Sequence, residues 1–429
     1  MPPPDPADAA PLLGRAKIKI AGKALLAVLD QGAYAGGNFL LAVLLARSVT
    51  PASYGVFAFA YSFFWLASTV HCAFVTEPML VYGASKWGAQ WPAYFRELAR
   101  WHWRLCAGEL ALFAVAGAAL AAAGKTELAL AFASLGLATP FILDVWLLRR
   151  ACFVESRPRL AAEGSALYLG VVAAVTLSVP KLSGQFAVSW VFLGLAAGNA
   201  LLGLWLRMRM ALGPANGTVT GAEVVAQHWK FGRWAIGGSL LSWVPTNFFY
   251  VLLPASVSLE SAGALRALMN LIQPAVQGNG ALALYLVPWL ARRRGAAGFG
   301  RIVAATVTLQ VGAAVIYWLL LAGFAGPIMT ALYRGRYDAW NGLLWVLGLI
   351  PVATGAIAAI GTVARAVDRP EVLTFGYLAA AVATVTLGNW LMARYGLWGA
   401  ATGMVAAMSS VAVVGFVMMP RLIRRATTP

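Results

Sequence analysis

Arg266, Asn270, Gln273 and Gln277 follow one another at intervals of four, three and four residues. On an α-helix that spacing puts all four on one face. The stripe offers one planar cation and three side-chain amides. A guanidinium grips phosphate oxygens in pairs, and amides both donate to and accept from hydroxyls, so the stripe suits an anionic, sugar-bearing molecule. Asp30, Gln31, Tyr34 and Asn38 form a second stripe at helical spacing. Ser239, Ser242, Trp243, Thr246 and Tyr250 form a third, just ahead of Arg266. Tyr34, Tyr61, Trp65, Trp243 and Tyr250 have rings that can stack on sugars, and Arg149 and Arg233 add cations for a phosphate. The acids Asp30, Glu77 and Asp144 can bind a proton or a sodium ion and couple its passage to that of a substrate.

Each of these residues also has a plainer reading. Arg266 can snorkel from the end of its helix or pair with an acid. Asp30, whose functional reading also includes pairing with an arginine to latch one conformation, lies only a turn or two from Lys23 and can sit in a wet vestibule. Glu77 and Asp144 lie nearer the ends of their segments, where the membrane interface can satisfy them. The amides can tie helices together, and the rings can pack or face lipid.

The segments that must position these side chains are greasy. Of the 429 residues, 61% are hydrophobic and 11% are charged, against roughly 25% charged in soluble domains. About twelve apolar stretches reach the roughly 20 residues that a bilayer demands, and they occupy nearly the whole chain. Transmembrane β-strands would be short and alternating, and these runs are long and continuous. The sequence therefore predicts an all-α integral membrane protein of about twelve transmembrane helices. Cys72, Cys106 and Cys152 have no CxxC spacing. His71 and the histidines at 102 and 228, read as exposed, have no ligand spacing, so no metal is expected. No HExxH, GxSxG or GxxxxGK[ST] motif is present, and no large loop is left for a catalytic domain. The reading is not an enzyme, with no cofactor and with proton or sodium coupling left open.

The net charge of +17 would suit nucleic acid, but its placement does not. Twenty-five of the 32 Lys and Arg fall at the termini or in alternate loops on one side, and six fall in the loops on the other. Arg266 lies inside a stretch. That bias places both termini in the cytoplasm. An internal repeat supports two halves. Val49-Thr50-x-x-Ser53-x-Gly55 returns as Val257-Ser258-x-x-Ser261-x-Gly263, 208 residues on. Six helices separate the copies, so both halves have the same orientation. The expected layout is a disordered tail over 1–20, an N-lobe over 21–207, a linker over 208–230, a C-lobe over 231–420 and a basic tail over 421–429. The two pseudo-symmetric six-helix lobes would flank a central cleft lined by the polar stripes.

The stretch Ala46-Arg47-x-x-x-Pro51-x-x-Tyr54-Gly55-x-Phe57, with its echo around Ser258–Gly263, resembles the polysaccharide (Wzx-type) oligosaccharide flippases of the multidrug/oligosaccharidyl-lipid/polysaccharide exporter superfamily. The resemblance implies alternating access in the bacterial inner membrane. It implies a lipid-linked (undecaprenyl-pyrophosphate) oligosaccharide as substrate, for polysaccharide or lipopolysaccharide assembly. Membrane lipids and other polysaccharide-assembly proteins would be partners, and nucleic acid would not. Two other readings stay open: a cation-coupled multidrug exporter of the same superfamily, and a non-transporting scaffold of glycan assembly.

Overall fold

In lipid every backbone N–H and C=O must be satisfied within its own segment, which leaves the helix as the form open to long apolar runs. The computed structural model describes residues 6–178, 186–211, 213, 219–296, 298–367, 369 and 371–427. It is helical nearly throughout, with no strand among the described residues. The helices that matter here are α1 (Pro6–Ser48), α2 (Pro51–His71), α3 (Glu77–Ser85), α4 (Trp91–Ala122), α5 (Thr126–Val154), α6 (Pro158–Ser178), α7 (Ala187–Met210), α8 (Gly221–Ser256) and α9 (Leu259–Ala291). They continue as α10 (Phe299–Gly323), α11 (Ala325–Tyr333), α12 (Leu344–Leu347), α13 (Leu349–Ala366), α14 (Glu371–Ala383) and α15 (Asn389–Thr427).

Among the described residues, ten helical stretches are long and apolar enough to cross a membrane. One of them, Glu371–Arg424, has 54 residues, about twice a bilayer's need. It breaks at Gly396, whose φ of 56° and ψ of −129° are not helical. Counting its two arms separately, and adding the 33-residue α9, brings the long helices to the expected twelve.

Three ends depart from the sequence reading. α1 begins at Pro6, inside the tail expected to be disordered. Proline suits the first helical position, and the alanines, leucines and lysines that follow favour helix. α8 begins at Gly221, inside the expected linker. Thr220 Oγ1 accepts from the Glu223 N–H at 3.3 Å, and Glu223 Oε2 accepts from the Thr220 N–H at 3.0 Å, a reciprocal cap that starts the helix there. α15 runs on to Thr427, through the basic tail.

The chain divides into two compact units. One holds Met1–Leu41 and His71–Arg233, and the other holds Ala42–Val70 and Trp234–Pro429. The partition differs from the lobes read along the sequence, because most of α2 packs with the C-terminal half. The repeat supplies the reason. A Cβ on Gly55 would lie 1.8 Å from the Leu259 carbonyl oxygen, and a Cβ on Gly263 would lie 2.1 Å from that of Pro51. Residue 51 corresponds to 259 and residue 55 to 263, so each copy's glycine meets the other copy's first turn. That reciprocity marks a local two-fold relation. The caps repeat as well. Thr50 Oγ1 accepts from the Ser53 N–H at 3.1 Å and Ser258 Oγ accepts from the Ser261 N–H at 3.0 Å.

In the first unit α5 is the central helix, buried along most of its length and packed against α4 and α7. In the second unit Leu290, Phe299, Val303, Ile360 and Val363 form a core that joins α9, α10 and α13.

Candidate functional site

α2 carries one aromatic face. Tyr54, Phe57, Tyr61 and Phe64 are all buried, and successive rings stack at centroid distances of 5.6, 5.0 and 5.0 Å. The glycine crossing lays this face along α9. The Asn270 amide there donates to the Tyr54 hydroxyl at 2.8 Å, and the Tyr333 hydroxyl donates to the Ala267 carbonyl at 2.8 Å. On the other flank, Trp243 Nε1 donates to the Ser62 carbonyl at 3.1 Å and ties α8 to α2.

Arg266 sits in the middle of this aromatic surround. Its guanidinium carbon lies 5.5 Å from the ring centroids of both Tyr61 and Tyr250. Its Nε–H is buried and has no hydrogen-bond partner, and among the described residues no carboxylate forms an ion pair with it. Each cation–π contact contributes about 0.5–1 kcal/mol. The pair offsets part of the about 2.5–3.5 kcal/mol that an arginine costs within a span, and leaves the charge without a counter-ion. Two and three turns further along the same stripe, Gln273 and Gln277 are exposed. The face thus combines a caged, uncompensated cation with amides open to approach.

The second arginine has a different setting. Arg149 of α5 is 7% exposed and Asp30 of α1 is 4% exposed. Arg149 Nη2 donates to both Asp30 oxygens at 2.8 Å, and its Nε donates to Oδ1 at 3.1 Å. Ser165 of α6 donates to the same carboxylate at 2.5 Å. The guanidinium carbon stands 3.9 Å from the Tyr34 ring centroid, and Tyr168 stacks on that ring at 4.3 Å. Trp146 Nε1 donates to the Tyr34 hydroxyl, and the Tyr168 hydroxyl donates to Asn38 Oδ1 at 2.8 Å. Asp30, Tyr34 and Asn38 therefore do share one face, as their spacing predicts, but they spend it on α5 and α6. Arg149, expected as a cation for a phosphate, has its head closed onto Asp30 by charge pairing. Both faces of the Tyr34 ring are taken, which removes it as a sugar platform.

The remaining expected residues are spread out. Asp144 is buried and paired with Arg207 of α7. Glu77 at the start of α3, Gln31 and Arg233 are exposed. The histidines at 102 and 228 are 0% and 1% exposed, not on the surface. His228 is bonded to the Phe74 carbonyl and the Tyr94 hydroxyl. His71, His102 and Cys106 come together, although the sequence reading found no ligand spacing among the histidines. The His102–Cys106 interval of four was a visible signal; His71, 31 residues earlier, had none. Tyr54, Ser165, Tyr168 and Arg207 were likewise unmarked, since only the packing brings them to their partners.

No protein-family model matches the chain, and no curated protein sequence matches it. Solved structures do. A multidrug resistance MATE family transporter of the MOP superfamily, in an inward-facing conformation, aligns with a TM-score of 0.79 at 11% identity, over 94% of this chain and 99% of that one. The lipid II flippase MurJ, in an inward closed conformation, aligns with a TM-score of 0.71 at 11% identity, over 94% and 90%. A MOP superfamily transporter from Pyrococcus furiosus, described as having a binding pocket of reverse polarity, aligns with a TM-score of 0.62 at 13% identity, over 94% and 95%. The fold of this chain is the one these transporters share.

Proposed function

We propose that the chain is a transporter that flips a lipid-linked, phosphate-bearing oligosaccharide across a bacterial inner membrane by alternating access. The observation that carries this reading is Arg266, a cation held by Tyr61 and Tyr250 with no acid among the described residues to neutralise it. A half-buried charge with an unbonded, buried Nε–H is costly, and an anionic group that arrives with the substrate lowers the cost. Gln273 and Gln277, exposed beyond it, are placed to replace water around sugar hydroxyls. The membrane potential would assist: two negative charges moving outward gain roughly 4–5 kcal/mol per 100 mV. One structural neighbour is by name a flippase of lipid II. Another is described by a reversed pocket polarity that suggests a different function, so in this fold the sign of the lining charge is informative.

The second reading is a cation-coupled multidrug exporter, favoured by the likeness to a multidrug transporter. It needs an acid free to bind a cation. Asp30 is paired with Arg149 and Asp144 with Arg207, so the acids left for that role are Glu77, which is exposed, and Glu109, buried with neither oxygen bonded. Deletion of the gene followed by lipid extraction tests both. Accumulation of a lipid-linked oligosaccharide in the inner leaflet, reversed by the wild-type chain and not by Arg266→Leu, is the expected outcome. Unchanged glycolipids together with drug hypersensitivity would overturn the flippase reading in favour of the exporter.

A further inference from the structure

His71, at the end of α2, meets His102 and Cys106 of α4 in a dry cluster whose three donor atoms lie within 4.8 Å of one another. All three side chains are fully buried. His71 Nε2 and His102 Nδ1 are 2.8 Å apart, and Cys106 Sγ is 3.6 Å from His102 Nδ1. We propose that this cluster binds one d10 transition-metal ion, zinc(II) or copper(I), through His71 Nε2, His102 Nδ1 and Cys106 Sγ.

Four observations support the site. The donor set is the first: thiolate and imidazole are the ligands that zinc and monovalent copper share. Spacing is the second. Metal–nitrogen bonds of about 2.0–2.1 Å and metal–sulfur bonds of about 2.3 Å put neighbouring donors roughly 3.3–3.7 Å apart. The separation of Cys106 Sγ from His102 Nδ1 already has that value, and Cys106 Sγ and His71 Nε2, which lie within 4.8 Å, close on each other when the ion binds. The two imidazoles, joined by a hydrogen bond, need to part by about half an ångström when an ion replaces the shared proton.

The third observation lies behind the ligands. The other nitrogen of His102, Nε2, is 3.6 Å from Asp144 Oδ1, and Asp144 is held in turn by Arg207. At that distance the carboxylate is not hydrogen-bonded to the ring, but it stands on the side where a ligating histidine's second nitrogen takes its partner. The fourth is a pair of unmet groups. His71 Nδ1 is buried without a partner, and so are both carboxylate oxygens of Glu109, one turn beyond Cys106 on α4. Buried polar atoms left unmade are costly, and a histidine pair alone gives Glu109 nothing to do.

Charge balance separates the two ions. With neutral imidazoles, the Cys106 thiolate alone neutralises copper(I). Zinc(II) needs a second negative charge, for which Glu109, one turn from Cys106 on α4 but outside the three-donor group, is the candidate on that helix. The π turn Cys72–Thr76 follows His71 directly, and such insertions are frequent at functional sites. The chain leaves one compact unit and enters the other between Val70 and His71. A bound ion would therefore pin the point of entry to α4.

The test uses the full-length chain, purified in detergent and stripped with a chelator. Zinc(II), and copper(I) under reductant, are each titrated against a chromophoric competitor. Bound metal is counted by mass spectrometry, and cobalt(II) serves as the spectroscopic probe of thiolate ligation. The expected result is one ion per chain and a thiolate-to-cobalt charge-transfer band that disappears in Cys106→Ser. Cys106→Ser and His102→Gln should each weaken binding by about 100-fold or more, while His228→Gln, outside the cluster, binds as the wild type does. Glu109→Gln should weaken zinc by about tenfold or more if zinc is the ion, and leave copper unchanged if copper is. Substoichiometric binding of both ions, or equal affinity in the Cys106→Ser His102→Gln double variant, overturns the site. Should those variants not fold, alkylation of Cys106 in the wild-type chain decides: the ion should slow it, and unslowed alkylation at saturating metal overturns the site too.

Discussion

Arg149 and Arg266 are both held within helical segments, each beside a tyrosine ring, yet their charges meet opposite fates. Arg149 is closed onto Asp30 through three hydrogen bonds, with Ser165 completing the carboxylate's shell. Arg266 has two rings beside it and, among the described residues, no acid. A neutralised pair has its attraction satisfied within the fold and nothing left for a ligand. A caged cation is held in place by weaker forces and retains its full demand for an anion. The first arrangement builds structure, and the second leaves a charge that an anion can still answer.

The largest expected effect breaks the first half of that contrast. Asp30→Asn leaves Arg149 buried without its counter-charge and should cost about 3–5 kcal/mol of stability, read as a lowered midpoint of thermal unfolding in detergent. Arg266→Leu should leave that midpoint unchanged or raise it while export is lost. Equal destabilisation by the two substitutions would end the distinction between a structural and a functional arginine.

The next effect concerns the crossing that sets the cage. Gly55→Ala drives a methyl into the Leu259 carbonyl and should cost roughly 1–3 kcal/mol. Gly263→Ala should behave alike, and the double variant should cost less than the sum because both act on one contact. Full additivity in a double-mutant cycle would argue that the two glycines do not share a crossing.

Smaller changes sharpen the second half. Trp243→Phe removes the Nε1–H bond to the Ser62 carbonyl and should cost about 0.5–1.5 kcal/mol, with a matching drop in unfolding midpoint. Tyr250→Leu removes one ring from Arg266 and should change stability by only about 0.5–1 kcal/mol. Its larger consequence should be weaker binding of a phosphorylated glycolipid, since the guanidinium loses its fixed position. Unaltered binding in Tyr250→Leu would show that the cage does not orient the cation.

The stripes were legible because helical spacing is a property of the chain alone: residues three and four apart share a face wherever the helix is placed. The Arg266–Gln277 face, the twelve apolar runs and the echo of Thr50–Gly55 at Ser258–Gly263 all follow from such local regularity. What a face meets is a different matter. Nothing near Asp30 marks Arg149, 119 residues later, as its partner, and nothing near Arg149 says that its head is buried. The cap at Thr220–Glu223 was readable as a T-x-x-E pattern and places the start of α8 inside the supposed linker. The cluster of His71 with His102 was not readable.

The order of residues thus determined that the chain is a membrane-embedded helical protein, how many long helices it has, and which faces of them are polar. Only the tertiary structure decided that one arginine is neutralised and the other is not, that most of α2 belongs with the C-terminal half, and that two histidines and a cysteine converge. The physical reason is range. Helix formation and lipid solvation act on residues within a turn or a span, whereas charge pairing and close packing are settled between atoms that the fold alone brings together.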